Sequence, residues 1–386
     1  KGEALFLRSL AYYKLWNLWG TAPLITRRLK NLGETEQPNS KDTDLLDQAI
    51  TDLTLASTLL PESWPDEYLG RVTRDAAFGL LGKCLVFRAD YHYKEDQGKA
   101  ASDYQAAIVA FNNISSHSLE GVAFADNFDF AKENNNESLF EFQAGQSPGF
   151  ERMWRGNDNG TRWDITAMHA YWGFFDCHWT FWDGHPFVPT QKLIAAFETG
   201  DPRFAECMDS TEDTRFHGFM WTKYIKNYGP QTLGGSCNNP RILRYGDILL
   251  LKAEAVLQSG GSKADAIALI NQVRARARGT DSLIPADLPV NETDQDTIMQ
   301  WIMDERFREL SGEDDHRWFD LKRWHHAGFI DLSTWDGSDS GFSTTNQNFS
   351  FHEFYEDTEG NMWYPIPETE MYRNKNIKQN PGYDLN

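Results

Sequence analysis

The stretch from Phe150 to Phe187 concentrates the residues of this chain best suited to chemistry. Eleven of its 38 residues are aromatic, a density that a plain connecting loop does not need. Trp154, Trp163, Trp172, Trp179 and Trp182 are interleaved with Arg155, Asn157, Asp158, Asn159, Arg162, Asp164, Asp176 and Asp183. A sugar ring has one face of C–H groups and a rim of hydroxyls. A flat indole covers the face, while Asn, Asp and Arg donate to or accept from the rim. The expected site is a saccharide surface, with Trp154, Trp163 and Trp172 as its first platforms beside the polar run 155–164. Trp179 and Trp182 share one face of a turn or short helix and come next; Arg155, Asn157, Asp158 and Asp164 supply polar contacts. Trp221 is a weaker candidate. Taken singly, a Trp is more often core than platform, so the alternative is that these rings fill a loop-rich lobe.

Other constellations carry less. NDNGTRWD (157–164) clusters oxygen ligands as a calcium loop does, but the EF-hand register is absent. A polar loop is the expectation there; no cofactor is required, and a structural calcium is the alternative. Glu305, Glu309, Glu313, Asp314, Asp315 and Asp320 sit among Arg306, Arg308, Arg317 and Arg323. A glycosidase needs two carboxylates facing each other across a cleft. Glu305 and Glu309 are spaced i, i+4, so on a helix they point the same way and pair more naturally with nearby Arg. Structural ion pairs are therefore expected. His325 and His326 are adjacent and point apart on a helix. HExxH, GxSxG, P-loop and dinucleotide fingerprints are all missing, so no catalytic and no metal-ligating residue is expected.

The chain of 386 residues carries 57 acidic against 37 basic side chains, a net charge of −20. A field of that sign repels phosphate backbones and anionic lipid heads, which excludes nucleic acid as a partner. Polyanionic glycans are disfavoured unless a local Arg/Lys cluster overcomes the field. Cys84, Cys177, Cys207 and Cys237 form no CxxC and no zinc spacing, so buried thiols are expected. No uncharged apolar run approaches the ~18 residues of a membrane helix. Glu3 and Arg8 interrupt KGEALFLRSLAYYKLW, so it is no signal peptide. It begins inside a helical pattern, and a removed upstream segment is the expectation.

The elements that must hold the aromatic stretch are helical. Periodicity predicts helices over 3–19 (Phe6, Leu10 and Tyr13 on one face, closed by Gly20 and Pro23), 43–60 (Leu46, Ala49, Ile50, Leu53) and 74–90 (Ala77, Leu80, Leu81, Cys84, Leu85). Others fall at about 100–114, then 245–258, 264–278, 294–311 and 316–327. The pairs 74–114 and 242–278 are helical hairpins of roughly tetratricopeptide length, about 34 residues. Gly82, Ala253, Ala255, Ala266 and Ala268 are small residues placed where neighbouring helices approach. Residues 120–240, apart from 190–199, and 328–386 lack the 3.6 period and read as long structured loops.

The order of segments resembles the SusD/RagB family of outer-membrane glycan-binding lipoproteins. EALFLRSLAYYKLWNLWGTAPLIT (3–26) is similar to its first block and RVTRDAAFGLLGKCLVF (71–87) to its next helix. VPTQKLIAAFETGDPR (188–203) resembles its PT-to-DPR segment, and ILRYGDILLLKAEAVLQ with ALINQVRARA (242–277) its helical pair. ERFRELSGEDDHRWFDLKRW (305–324) and WYPIPETEMYRNKNIKQNPGY (363–383) resemble its C-terminal blocks.

The resemblance implies a mainly α fold, a body of tetratricopeptide-like hairpins over 1–142 and 241–386 with a loop-rich ligand lobe inserted at 143–240. It implies capture of an oligo- or polysaccharide without catalysis, on the extracellular face of the outer membrane, beside a SusC-like TonB-dependent porin. The family's lipid anchor and part of its glycan site precede the first block and so lie outside this chain. Within 150–182 no family-wide binding motif is matched, and the site residues rest on chemistry. A neutral polymer such as a β-glucan suits the tryptophans. Two other readings remain: an all-α glycoside hydrolase or lyase, and a tetratricopeptide adaptor binding peptide in its helical groove.

Overall fold

The computed structural model describes residues 1–143, 189–210, 219–224, 238–280, 283–313, 316–332 and 362–383. All nine tryptophan, arginine, asparagine and aspartate candidates between Trp154 and Trp182 lie outside these residues, as does the 157–164 loop.

The chain is mainly helical. Helices α1 (Gly2–Trp19), α2 (Asp44–Leu59), α3 (Arg74–His92) and α4 (Gln97–Asn112) pack in succession, each against the next. A short strand β1 (Ser138–Glu141) leads out of this half. Two short helices, α5 (Gln191–Ala196) and α6 (Pro202–Cys207), and the strands β2 (Met208–Ser210) and β3 (Phe219–Trp221) follow. Strand β4 (Arg241–Arg244) pairs antiparallel with β1 and runs into α7 (Tyr245–Gln258), while β2 pairs with β3. Then come α8 (Lys263–Arg278), α9 (Gln295–Leu310), α10 (His316–Ala327) and a one-turn-and-a-half helix, α11 (Glu368–Arg373).

Helix α7 is the shared wall of the body. Ile248, Leu251 and Ala255 join the core of α1–α4, and Leu249, Leu250, Ala253 and Leu257 join a second core with Ile267, Ile270, Ile298, Ile302 and Trp324. A third, smaller core gathers Phe124, Phe128, Leu193, Phe197, Cys207, Met208, Trp221 and Tyr224. Cys84 and Cys207 are free, buried thiols as expected, pushed up to about 12 by burial; Cys177 and Cys237 lie outside the described residues.

Local chemistry explains most boundaries. Thr73, Asp96, Ser262 and Asp294 cap their helices, accepting from Ala76, Lys99, Asp265 and Thr297 N–H at 2.9–3.3 Å. Gly20 ends α1 at φ +69°. The indole of Trp363 lies against it, only 2.8 Å from where a Cβ would sit. The C-terminal segment thus returns to the first helix: Tyr364 N–H donates to Leu18 O at 2.8 Å and Asn380 Nδ2 to Trp19 O at 2.9 Å. Two expected loops therefore differ from the structure. Asp201 caps α6 with Pro202 at its first position, and α11 forms within 328–386. Both helices are too short to show a period. Ala268, expected at a helix contact, is exposed, because α8 turns Ala266, Ile267 and Ile270 inward instead.

Gly82 is where α3 and α4 meet most closely: a Cβ there would lie 2.2 Å from the Phe111 ring. Replacing it overpacks a closed contact, at a cost of roughly 1–3 kcal/mol. Gly82→Val is expected to lower the urea midpoint with little change in slope; an unchanged midpoint refutes the close approach.

Candidate functional site

Of the acidic cluster near the C-terminus, Glu305, Glu309, Glu313 and Asp320 are among the described residues, and Asp314 and Asp315 lie outside them. Glu305 and Glu309 project from one face of α9, as their spacing requires, and both side chains are sealed from solvent. Arg203 of α6 bridges them, its Nη1 at 2.7 Å from Glu305 and 2.9 Å from Glu309, and its other edge holds Asp201 at 2.7 Å. Arg244, at the end of β4, reaches Glu309 at 2.6 Å, Glu137 at 2.8 Å and Glu313 at 2.7 Å. Arg276 spans Glu137 and Glu309; Arg274 meets Glu305 at 3.0 Å; Lys223 meets Glu313. Five carboxylates and five cations close on one another, so the cluster is neutral although every charge in it is buried.

Burial by itself would raise Glu305; the guanidiniums of Arg203, Arg308 and Arg274 outweigh it and bring the carboxyl down to about 2. Glu309 and Glu313 are lowered by the same balance. These are structural pairs, and neither glutamate faces a cleft in the way a glycosidase acid and base must.

A second buried network adjoins the first. Arg306 holds Asp320 at 2.7 Å and Asp247 at 2.8 Å, Lys83 holds Asp247 at 2.8 Å, and Arg323 holds Asp90 at 2.5 Å and Glu254 at 2.6 Å. Here carboxylates outnumber cations. Burial raises Asp90 to about 7, with Arg323 opposing and Glu254 reinforcing the shift, and Tyr104 donates its hydroxyl to it.

Trp221, the weaker platform candidate, is core. It is 5% exposed and its ring seats on Gly312, 2.2 Å from where a Cβ would be. Sequence reasoning missed an aromatic pair, half-buried Trp64 and exposed Tyr68, whose rings meet edge-on at 6.4 Å while Arg71 lies 3.9 Å over Trp64. The local signal was only SWPDEY, too short for a pattern. It also missed a groove of about 770 Å³ between α5, α9 and α10, lined by Gln191, Lys192, Gln300, Asp304, Phe307 and Arg317 among others. Its walls come from segments more than a hundred residues apart in sequence. Among the described residues, no group of three or more His, Cys, Asp or Glu is placed to hold a metal, and no helix is long and apolar enough to cross a membrane.

A mainly helical body locked by buried ion pairs, with two short antiparallel strand pairs, defines a fold class that comparison with known proteins identifies. A model of the SusD family matches residues 205–383, and a second, described as starch-binding and associating with outer membrane, matches 1–86. Together they take in about two thirds of the chain. SusD-like protein P38 of Formosa agariphila is 27% identical over 84% of this chain and 66% of its own length; P2 of the same organism is 26% identical over 99% and 73%. A SusD-like protein of Bacteroides ovatus is 24% identical over 83% and 58%. The chain thus spans 58–73% of these curated relatives. Two solved structures share the fold. A SusD superfamily protein from Bacteroides vulgatus has a TM-score of 0.68 at 23% identity, covering 99% of this chain and 77% of that one. A laminarin-binding SusD-like protein has 0.66 at 24%, covering 99% and 78%. The chain belongs to the SusD-like family.

The paired carboxylates set an acid limit. Glu305, Glu313 and Asp247 titrate lower in the folded chain than in the unfolded one. Their contribution is complete above the unfolded value of about 4.5 and is lost as pH falls toward 2. Thermal unfolding from pH 7 down to 2 is expected to show a steep loss below pH ~4.5. Arg203→Met leaves three buried carboxylates short of a partner and should cost about 3–5 kcal/mol at pH 7. It should also make the acid slope shallower. An unaltered melting curve for this variant contradicts the assignment.

Proposed function

We propose that the chain is a non-catalytic glycan-binding protein that captures an oligo- or polysaccharide for import. The observation that carries the reading is the family match along both halves of the body, joined to the aromatic and polar run 150–187. The laminarin-binding relative supports a glycan ligand. The burial of Glu305, Glu309 and Glu313 in ion pairs supports a structural and not a catalytic use of the acidic cluster.

Finer features belong to the same proposal. The ligand lobe is 143–240, its platforms are Trp154, Trp163 and Trp172 with Trp179 and Trp182 behind them, and its polar contacts are Arg155, Asn157, Asp158 and Asp164. The favoured ligand is a neutral polymer of β-glucan type, since a chain of net charge −20 repels polyanions over long range. The matched outer-membrane model supports a place at that membrane. A SusC-like TonB-dependent porin as partner and a lipid anchor on the extracellular face complete the reading.

Affinity gel electrophoresis against laminarin, xylan, mannan, starch and an alginate tests it. Retardation by one or a few neutral glycans is expected. Alanine at Trp154, Trp163 or Trp172 should weaken retention about tenfold or more, the loss of an anchor worth roughly 1.4 kcal/mol. Release of reducing sugar, abolished by one carboxylate substitution, overturns the reading in favour of an enzyme.

A further inference from the structure

Arg317 differs from the fully buried arginines around it. Arg203, Arg244, Arg306 and Arg323 are buried, and each is held by two or three carboxylates that keep it charged. Arg317 stands in the first turn of α10, where the helix dipole disfavours a cation. It makes no hydrogen bond or ion pair among the described residues; its guanidinium lies 3.9 Å over the Phe307 ring. The two described acids whose charges act on it, Asp320 and Asp304, are already committed. Asp320 is held by Arg306 and Arg323, and Asp304 accepts from Gln300 at 2.8 Å. Burial draws Arg317 down to about 10, whereas Arg203, Arg244, Arg306 and Arg323 are all raised.

This cation, without a carboxylate partner among the described residues, also lines the groove. Its volume of about 770 Å³ falls within the roughly 300–1,000 Å³ typical of ligand clefts. Gln191 and Gln300 are exposed at its rim, where amides can meet hydroxyls. The charged lining is Lys192, Arg308 and Arg317 against Asp304, a local excess of positive charge in a strongly acidic chain. Arg308 is spent on Glu305 at 3.0 Å and on Ala196 O at 3.0 Å, which fixes the wall and leaves Arg317 as the fork facing the groove.

We propose that the groove between α5, α9 and α10 is a second saccharide subsite, selective for an acidic sugar, in which Arg317 takes the ring carboxylate of a uronate. A carboxylate offers the planar, two-oxygen partner that a guanidinium fork matches. The stacked Phe307 holds the fork in place before the ligand arrives, so little side-chain entropy is lost on binding. The proposal rests on the glycan-capture reading and deepens it: the ligand is a neutral backbone carrying uronate units, whose acid the groove takes.

Calorimetric titration with trigalacturonate tests this, with its methyl ester as the uncharged control. The parent chain is expected to bind the acid at least tenfold more tightly than the ester, and the difference should shrink between about 20 mM and about 300 mM salt. Arg317→Gln should abolish the difference and Arg317→Lys restore part of it, while retardation by neutral polysaccharide stays at the parent level. Gln300→Glu, on the exposed rim, should also weaken the acid and spare the ester, which keeps the test open if the Arg317 variants fold poorly. Equal binding of acid and ester, or an acid preference that survives Arg317→Gln, overturns the subsite. Retention of neutral glycans without trigalacturonate binding removes the subsite and leaves the capture reading standing. Arg317-dependent trigalacturonate binding without retention of any neutral glycan does the reverse.

Discussion

A charged group taken out of water costs several kcal/mol unless a partner and hydrogen bonds replace its hydration. This protein takes ten such groups out of water in one place. Glu305 and Glu309 come from α9, Arg203 and Asp201 from the start of α6, Arg244 from β4, Arg274 and Arg276 from α8, and Glu137 from the turn before β1. None is tolerable in the interior alone, and the set balances only when all are present. The short elements between Asp201 and Tyr224 and the helical body are therefore tied by the same interaction. Arg203 lies in α6 and Lys223 just after β3, and the glutamates they neutralise lie on and just after α9.

The apolar cores depend on that lock. Helix α7 separates the two larger cores and carries the buried Asp247 and Glu254 among its apolar residues. Those two carboxylates meet Lys83, Arg306 and Arg323 from three other helices. The ion pairs add specificity of position to a helix whose leucines alone would permit rotation. The closing contacts are gentler. The C-terminal segment returns to α1 through backbone bonds and an indole laid against Gly20, which joins the two ends of the chain and leaves the groove side of α9 and α10 open.

Most helices were legible in advance. The boundaries of α1, α7 and α10 fall within a residue or two of the periodic pattern, because apolar spacing and capping chemistry are local. The same locality hid α6, whose Asp–Pro start is a capping signal but whose six residues show no face, and the four-residue strands β1 and β4, whose charged ends look like loop. Ala268 was misplaced because a small residue is compatible with both a helix contact and solvent. Trp221 looked like a platform because composition does not distinguish an exposed indole from one seated on a glycine ninety-one residues away.

The sequence by itself determined the mainly helical architecture, the family pattern and the structural character of the Glu305–Glu309 pair, since an i, i+4 spacing puts both acids on one face whatever surrounds them. Tertiary structure alone decided which cation meets which acid. Arg203 reaches Glu309 across 106 positions and Arg244 reaches Glu137 across 107, distances over which spacing carries no information. It also decided that Arg317, set in the same Arg-rich run as Arg306 and Arg323, has no carboxylate partner among the described residues, Asp320 and Asp304 being held by others. Its groove is assembled from helices that only packing brings together.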